Sequence, residues 1–150
     1  MYGVQNGIRA AAINSIIQMN RKIALITVLT DNVPTLVQFY QNVLGFEVKT
    51  QHGGYVEFHN EGVRFAICSR AIMFEATSHQ SYNESKGGQL FSLAFPCNTV
   101  EEVDENYDKI IERGAIPIKS PSYMPWNQRT GFFADPEGNV HEVFADLPKQ

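Results

Sequence analysis

The pattern of apolar and polar positions predicts the same order of elements twice along this chain. Residues 22–29 form a near-continuous apolar run that is typical of a buried strand, and over residues 33–44 the apolar spacing changes to that of an amphipathic helix. Three strand-like runs follow, at residues 46–50, 55–59 and 63–69. The first half of the chain therefore predicts one strand, one helix and three further strands.

The second half repeats this order. Residues 89–95 are typical of a strand, and Thr99 followed by Glu102 forms a capping box, which indicates the start of a helix. The apolar stripe of that helix ends at Gly114, and strand-like runs follow at residues 115–119, 130–134 and 140–144. We interpret the two halves as an internal duplication of one strand-helix-strand-strand-strand module.

The last two predicted strands are joined by Asp135-Pro136-Glu137-Gly138, which predicts a type I turn. Asp at the first position can bond its own backbone, Pro fixes φ at the second, and Gly at the fourth tolerates a positive φ. Beyond the turn, His141 and Glu142 are neighbours, and neighbouring strand residues face opposite sides of a sheet. Only one of the two can therefore face the enclosed side.

The pattern divides the chain into five parts. Residues 22–70 and 89–146 are the two modules, and residues 71–88, which are rich in turn formers and lack a sustained period, are interpreted as a linker or lid loop. Residues 1–21 are an N-terminal extension, interpreted either as an appendage or as a short helix that packs on a partner subunit. Residues 147–150 are a tail.

Composition narrows the class of partner. A net charge of -4 without a run of Lys or Arg argues against nucleic acid and favours a small molecule or a protein. No apolar run approaches the roughly 20 residues of a membrane span, so we expect no membrane partner. Cys68 and Cys97 match no metal-binding spacing, and we therefore expect reduced thiols and a cytoplasmic protein.

Two motifs carry a resemblance to a known family: F-Y-Q-N-V-L-G-F-E-V from Phe39 and D-P-E-G-N-V-H-E-V from Asp135. Within the doubled pattern, they resemble the vicinal oxygen chelate superfamily of glyoxalases, bleomycin resistance proteins and dioxygenases, over about residues 22–146. The resemblance implies an α+β fold of two tandem βαβββ modules that form a cupped, mostly antiparallel sheet. It also implies that two chains pair as a homodimer.

Metal-dependent members of that superfamily place His or Glu on the first and last strand of each module. In this chain the corresponding positions are Leu25, Ala66, Ser92 and Glu142, of which only Glu142 is a ligand type. The resemblance therefore predicts no metal ligand set and no cofactor. The histidines are expected to be surface or hairpin residues, namely His52, His59, His79 and His141.

The favoured function is metal-free binding of a small, largely apolar or planar molecule in the sheet cavity. The candidate ligand-binding residues are Leu25, Phe74, Ser92, Trp126, Arg129 and Glu142. Trp126 suits either stacking on a planar ligand or core filling, Arg129 suits either an anion clamp or an ion pair with Glu142, and Phe74 suits a lid.

Two other functions stay open. The first is an enzyme of the lyase, isomerase or dioxygenase type, either cofactorless or with a metal site built from other residues, in which Glu142 is the candidate catalytic residue. The second is a structural dimerisation module with a vestigial cavity. We favour binding over catalysis because a lone carboxylate supplies only part of such a mechanism.

Overall fold

A computed structural model describes residues 22–85, 87–89 and 91–149 of the 150-residue chain, and its strands form two four-stranded sheets. The first sheet contains β1 (Leu25–Thr30), β2 (Val48–His52), β3 (Tyr55–Phe58) and β4 (Arg64–Ser69), in the order β1-β4-β3-β2. The second contains β5 (Ala94–Pro96), β6 (Ile116–Met124), β7 (Gln128–Ala134) and β8 (Val140–Asp146), in the order β5-β8-β7-β6. The first and last strands of each module pair in parallel, and the other pairs are antiparallel.

Within the described residues, three α-helices accompany the sheets: α1 (Val33–Asn42), α2 (Arg70–Thr77) and α3 (Val100–Glu112). The side chain of Asn32 accepts a hydrogen bond from the Thr35 amide at the start of α1. At the start of α3, Thr99 accepts from the Glu102 amide, as predicted, and the Glu102 carboxylate accepts from the amide of Asn98 rather than from that of Thr99. The α+β class and the two tandem βαβββ modules are thus confirmed.

The two modules share one hydrophobic core. Tyr40 of α1 and Tyr107 of α3 are both buried in it, together with Phe65 of the first sheet and Phe133 of the second. Because apolar side chains from both modules form a single cluster, neither module buries its helix-facing side alone. The modules are therefore held at a defined relative position.

The turn between β7 and β8 closes as the sequence predicts. The amide of Gly138 donates to the carbonyl of Asp135 at 3.0 Å, and Oδ1 of Asp135 accepts from the amides of Glu137 and Asn139. Gly138 has a φ of +82°, which a residue with a side chain rarely adopts. The turn also reaches the first module, because the Thr30 hydroxyl donates to the carboxylate of Glu137.

The segment between the modules differs from the sequence prediction of a loop. It contains α2 and a short 3-10 helix, Gln80–Tyr82. The Ser69 side chain caps α2, and Ser78 ends it with a φ of 55°. A second difference is that β5 has only three residues, fewer than predicted.

The N-terminal extension, and with it the helix considered there, lies outside the described residues. Among the helices of the described chain, none is long and apolar enough to cross a membrane.

Candidate functional site

A cleft of about 350 Å³ lies between β1 and the chain segment that leads into β5. The first module contributes Ile26, Val28 and Leu29 to its walls, and the second contributes Phe91 and Leu93. We call the space lined by these five residues, with Thr27, Arg70 and Ser92, the intermodule cleft. Its walls are mainly apolar, and they exist only because the two modules lie side by side.

A second cavity, of about 330 Å³, adjoins the intermodule cleft and shares Ile26, Ser92 and Leu93 with it. Phe65 and Phe95 are among its other lining residues. The apolar surface therefore continues along the seam between the modules, which leaves room for a ligand longer than the first cavity alone would hold.

The polar side chains that the described residues bring to the intermodule cleft are two hydroxyls, of Thr27 and Ser92, and one guanidinium, of Arg70. The Arg70 side chain is only 19% exposed, and its Nε lies 4.0 Å from a carboxylate oxygen of Asp31, whose own side chain is 86% exposed. That separation is too long for a hydrogen bond. Arg70 thus brings a mostly buried positive charge, which donates no side-chain hydrogen bond to the described residues, to a mainly apolar cleft.

Strand pairing explains how Arg70 reaches this place. β4 runs parallel to β1, and their last paired residues are Ser69 and Thr30. Arg70 directly follows Ser69 as the first residue of α2. The turn from β4 into the helix therefore sets the guanidinium beside the C-terminal half of β1.

Of the residues proposed from the sequence, one lines the intermodule cleft, and two lie on the same element as a lining residue. Ser92 lines the cleft. Leu25 is half-buried at the start of β1, next to the lining residue Ile26. Phe74 is half-buried on α2, one turn after Arg70, and residues four apart lie on the same side of a helix.

Glu142 lies on β8 and does not line the intermodule cleft. It pairs with Ala94 on β5, just as Ala66 pairs with Thr27 in the first module, so both last strands have the same register against their first strands. Its carboxylate makes no hydrogen bond to another residue of the described ranges, and burial raises the pKa of the Glu142 carboxyl. The side chain is therefore an isolated acid on the sheet face opposite His141.

Trp126 and Arg129 do not line the intermodule cleft either. Trp126 is 56% exposed between β6 and β7, where its indole N–H donates to Gln128, so it does not fill the core. Arg129 forms a bidentate ion pair with Asp104 on α3, at 2.7 and 2.6 Å, rather than with Glu142. A ligand-binding role for either residue stays a prediction.

His141 corrects the expectation of a surface histidine, because it is fully buried. The Leu93 amide donates to its Nδ1 at 3.1 Å, and its Nε2 lies 3.2 Å from the Tyr40 hydroxyl and 3.3 Å from Oδ2 of Asp135. These partners make burial of the polar ring tolerable. The other three histidines are exposed, as predicted: His52, His59 and His79.

The family's four metal-ligand positions do not fit a metal ion in this chain. Leu25 and Ala66 have no donor atom, Ser92 offers only a hydroxyl, and Glu142 alone is a carboxylate. Over residues 22–85, 87–89 and 91–149, no group of three or more His, Cys, Asp or Glu side chains is placed to hold a metal. We therefore assign no chemical step to a metal centre.

Sequence reasoning missed Arg70 and Phe91 as lining residues. Arg70 stood at the boundary between a module and the linker, and Phe91 was one apolar residue of a predicted strand. One signal could have indicated Arg70: this basic residue directly follows the last strand of the first module. That strand pairs in parallel with the first strand, which lines the cleft.

Comparison with known proteins identifies the family. The model of the Glyoxalase/Bleomycin resistance protein/Dioxygenase superfamily matches residues 22–143, and the chain belongs to this superfamily. It is 28% identical over 130 residues to the uncharacterized protein YraH of Bacillus subtilis. The alignment covers 84% of this chain and 99% of that protein.

Solved structures share the fold. The crystal structure of a glyoxalase/bleomycin resistance protein/dioxygenase from Nocardioides matches with a TM-score of 0.78 and 24% identity, over 96% of this chain and 98% of that chain. A lactoylglutathione lyase from Agrobacterium tumefaciens matches with a TM-score of 0.66 and 21% identity, over 85% of this chain and 95% of that chain. At these identities the likeness concerns the fold alone.

Proposed function

We propose that this member of the superfamily binds a small, largely apolar or planar organic molecule in the intermodule cleft, without a metal. The observation that carries the proposal is a cleft of about 350 Å³ to which the described residues contribute five apolar side chains and three polar ones. Ligand sites of this kind are typically apolar cavities of about 300 to 1,000 Å³ with a few convergent polar groups. The volume suits a molecule of about two fused rings.

Arg70 indicates which polar group the proposed ligand carries. A mostly buried guanidinium that donates no hydrogen bond to the described residues favours a carboxylate or another anionic acceptor at its end of the cleft, since charge-assisted hydrogen bonds are stronger in a desolvated setting. Thr27 on the first-module wall and Ser92 on the second-module wall offer hydroxyls as well. The preferred ligand is accordingly an apolar or planar body that carries one anionic group.

An NMR titration of the labelled protein tests this proposal. The probes are 2-naphthoate and its neutral analogue 2-naphthamide, which have the same planar body and differ in charge. Saturable amide shifts are expected for Thr27, Leu29, Arg70 and Leu93, larger for the acid, with the difference between the probes lost in Arg70→Gln. An absence of saturable shifts at the cleft with both probes would contradict the proposal.

The metal-free part of the proposal has its own test. Elemental analysis of protein purified without chelators is expected to find Zn, Ni, Mn and Fe well below one equivalent. One equivalent of any of them, lost in Glu142→Ala, would show a metal site at the family position and would overturn this part.

A cofactorless enzyme is the second candidate, and Glu142 is the observation that favours it. Burial raises the pKa of this carboxyl, and a carboxylate of raised pKa is the better proton acceptor. When Glu142 accepts a proton, a negative charge develops on the substrate. No described residue near Glu142 is assigned to stabilise that charge, so binding remains the better-supported function. Turnover of a ligand found in the titration, abolished in Glu142→Gln with binding intact, would favour the enzyme.

The proposal includes a homodimer in the cytoplasm. β6 is an edge strand on which Ile116, Ile118 and Tyr123 are exposed, and such a surface favours burial by a second chain. Cys68 and Cys97 are free thiols, which suits a reducing compartment. A monomer in sedimentation equilibrium at micromolar concentration would contradict the dimer, whereas a dimer that binds none of the probes would favour the purely structural role.

A further inference from the structure

A separate groove of about 420 Å³ lies between the C-terminal ends of α1 and α3, away from the intermodule cleft. Its floor is apolar and includes Val43, Phe95 and Val143. Val43 and Val143 belong to the buried core, and the Phe95 ring stacks on that of Phe133 at 6.1 Å between centroids. The floor is therefore built from side chains that packing already holds in place.

One face of α3 forms the rim of this groove. Asn106 and Lys109 of α3, with Arg113 at its C-cap, line it, and their spacing of three and four residues sets them in a row. All three side chains carry hydrogen-bond donors, and two of them are cations. No Asp or Glu of the described chain lines the groove.

The two cations are also free of partners within the described ranges. Neither Lys109 nor Arg113 forms an ion pair there, whereas Arg64 and Arg129 each pair with a carboxylate. The chain as a whole is acidic, with a net charge of -4, so a basic rim is not a consequence of its composition. Lys109 in the last turn also complements the helix dipole, but that role requires no apolar cavity beneath it.

We propose that this groove is a second binding site, for a small organic anion with an apolar body. Lys109 and Arg113 hold the carboxylate, sulfonate or phosphate group, Asn106 donates a further hydrogen bond, and the apolar part lies on Phe95 and Val143. The groove shares no lining residue with the intermodule cleft, and it shares Phe95 and Pro96 with the adjoining second cavity. Substitutions on its rim therefore test the groove without changing the intermodule cleft.

Cys97 provides a local reporter for this site. Its thiol lines the groove and accepts a hydrogen bond from Nδ2 of Asn106 at 3.3 Å. The other cysteine, Cys68, is 3% exposed and serves as an internal reference that bound ligand should not affect. The rate at which neutral iodoacetamide alkylates Cys97 therefore reports whether the groove is occupied.

The experiment compares protection of Cys97 by 8-anilinonaphthalene-1-sulfonate and by the uncharged N-phenyl-1-naphthylamine, with peptide masses as the readout. The sulfonate is expected to protect Cys97 at a concentration about tenfold lower than the neutral compound needs, since two ion pairs form only with the former. The charges of Lys109 and Arg113 also affect the rate at which the Cys97 thiol is alkylated. Protection is therefore expressed, for each variant, as the ratio of the alkylation rates without and with the compound.

Charge variants test whether the cations of the rim cause the preference for the sulfonate. Lys109→Gln with Arg113→Gln is expected to abolish the preference for the sulfonate, whereas Lys109→Arg with Arg113→Lys keeps both charges and should retain it. Lys119→Gln, on β6, is the matched control and should leave protection unchanged. Equal protection by the two compounds, no protection by either, or a preference that survives the double Gln variant would each overturn the proposal.

Discussion

The hydroxyl of Tyr40 on α1 lies 3.2 Å from Nε2 of His141 on β8, so one polar contact joins the helix of the first module to the last strand of the second. Both residues are fully buried. Because the Leu93 amide donates to Nδ1, the ring proton of His141 belongs on Nε2, between Tyr40 and Asp135. The imidazole thus connects helix α1, the segment before β5 and the turn after β7 in the interior.

Removing parts of this network should lower stability in graded steps. Tyr40→Phe deletes one hydroxyl and is expected to reduce the free energy of unfolding by about 1 kcal/mol. His141→Ala leaves buried groups of Leu93, Tyr40 and Asp135 without that partner and opens a cavity, for an expected loss of about 3 kcal/mol. Urea unfolding measures both. A His141→Ala loss no larger than that of Tyr40→Phe would contradict the network.

Close packing of α3 on β7 predicts an intolerance of side chains at Gly131. A Cβ at this position would lie 2.7 Å from a ring carbon of Tyr107 and 3.0 Å from Cγ of Pro121. Gly131→Ala is therefore expected to lower the free energy of unfolding by about 1 to 3 kcal/mol, measured by thermal or urea unfolding. Gly87→Ala, with nothing near its Cβ position, is the control. Equal stability of the two variants would contradict this packing.

Acid sensitivity should come partly from Glu57. A bidentate contact from Arg64, at 2.9 and 2.5 Å, is the main reason that the pKa of this buried carboxyl is lowered to about 2. A group whose pKa is lower in the folded state stabilises the protein at pH values above its pKa in the unfolded state. This stabilisation is lost as the pH falls through the pKa in the folded state. The loss should therefore fall between about pH 4.5 and about pH 2.

The variant Glu57→Gln tests this window. It should be less stable than wild type at neutral pH, and its free energy of unfolding should change less over the acidic range. Glu75→Gln, at an exposed position on α2, is the control and should keep the wild-type pH dependence. A wild-type pH dependence in Glu57→Gln would show that Glu57 does not contribute.

For Glu142, we expect stability to depend on pH in the opposite direction. Burial raises its pKa, so the folded state binds the proton more tightly than the unfolded state, and stability falls as the pH rises through the folded value. Glu142→Gln mimics the protonated acid. It should raise the melting temperature at neutral pH and have little effect below about pH 3.5. A lower melting temperature at neutral pH would indicate that the carboxylate has a stabilising partner.

Much of the fold follows from the sequence because its signals are local. The change from strand to helical spacing, the capping box at Thr99, and the turn from Asp135 to Gly138 each predict the element observed. Helix α2 lacks such a pattern, since Ile72, Met73 and Phe74 are contiguous and no residue of the helix is fully buried. Its caps at Ser69 and Ser78 define it instead.

The candidate site could be predicted only in part. Strand alternation shows that His141 and Glu142 face opposite sides, but it does not show which side is buried. That outcome depends on partners distant in the chain: Tyr40 lies 101 residues before His141, and Leu93 lies 48 before it. The intermodule cleft likewise depends on how two modules pack, which no local pattern encodes. For that reason Arg70 was missed.

The most direct test of the central claim is the affinity of 2-naphthoate for wild type, Ser92→Trp and Gln38→Trp. Ser92 is exposed and lines the intermodule cleft, so a large ring there fills the ligand space without entering the core. Gln38 is exposed on α1 and controls for an added ring. We expect Ser92→Trp to weaken binding at least about tenfold, with Gln38→Trp unchanged and all melting temperatures similar. Equal affinity in the three proteins would contradict binding in the intermodule cleft.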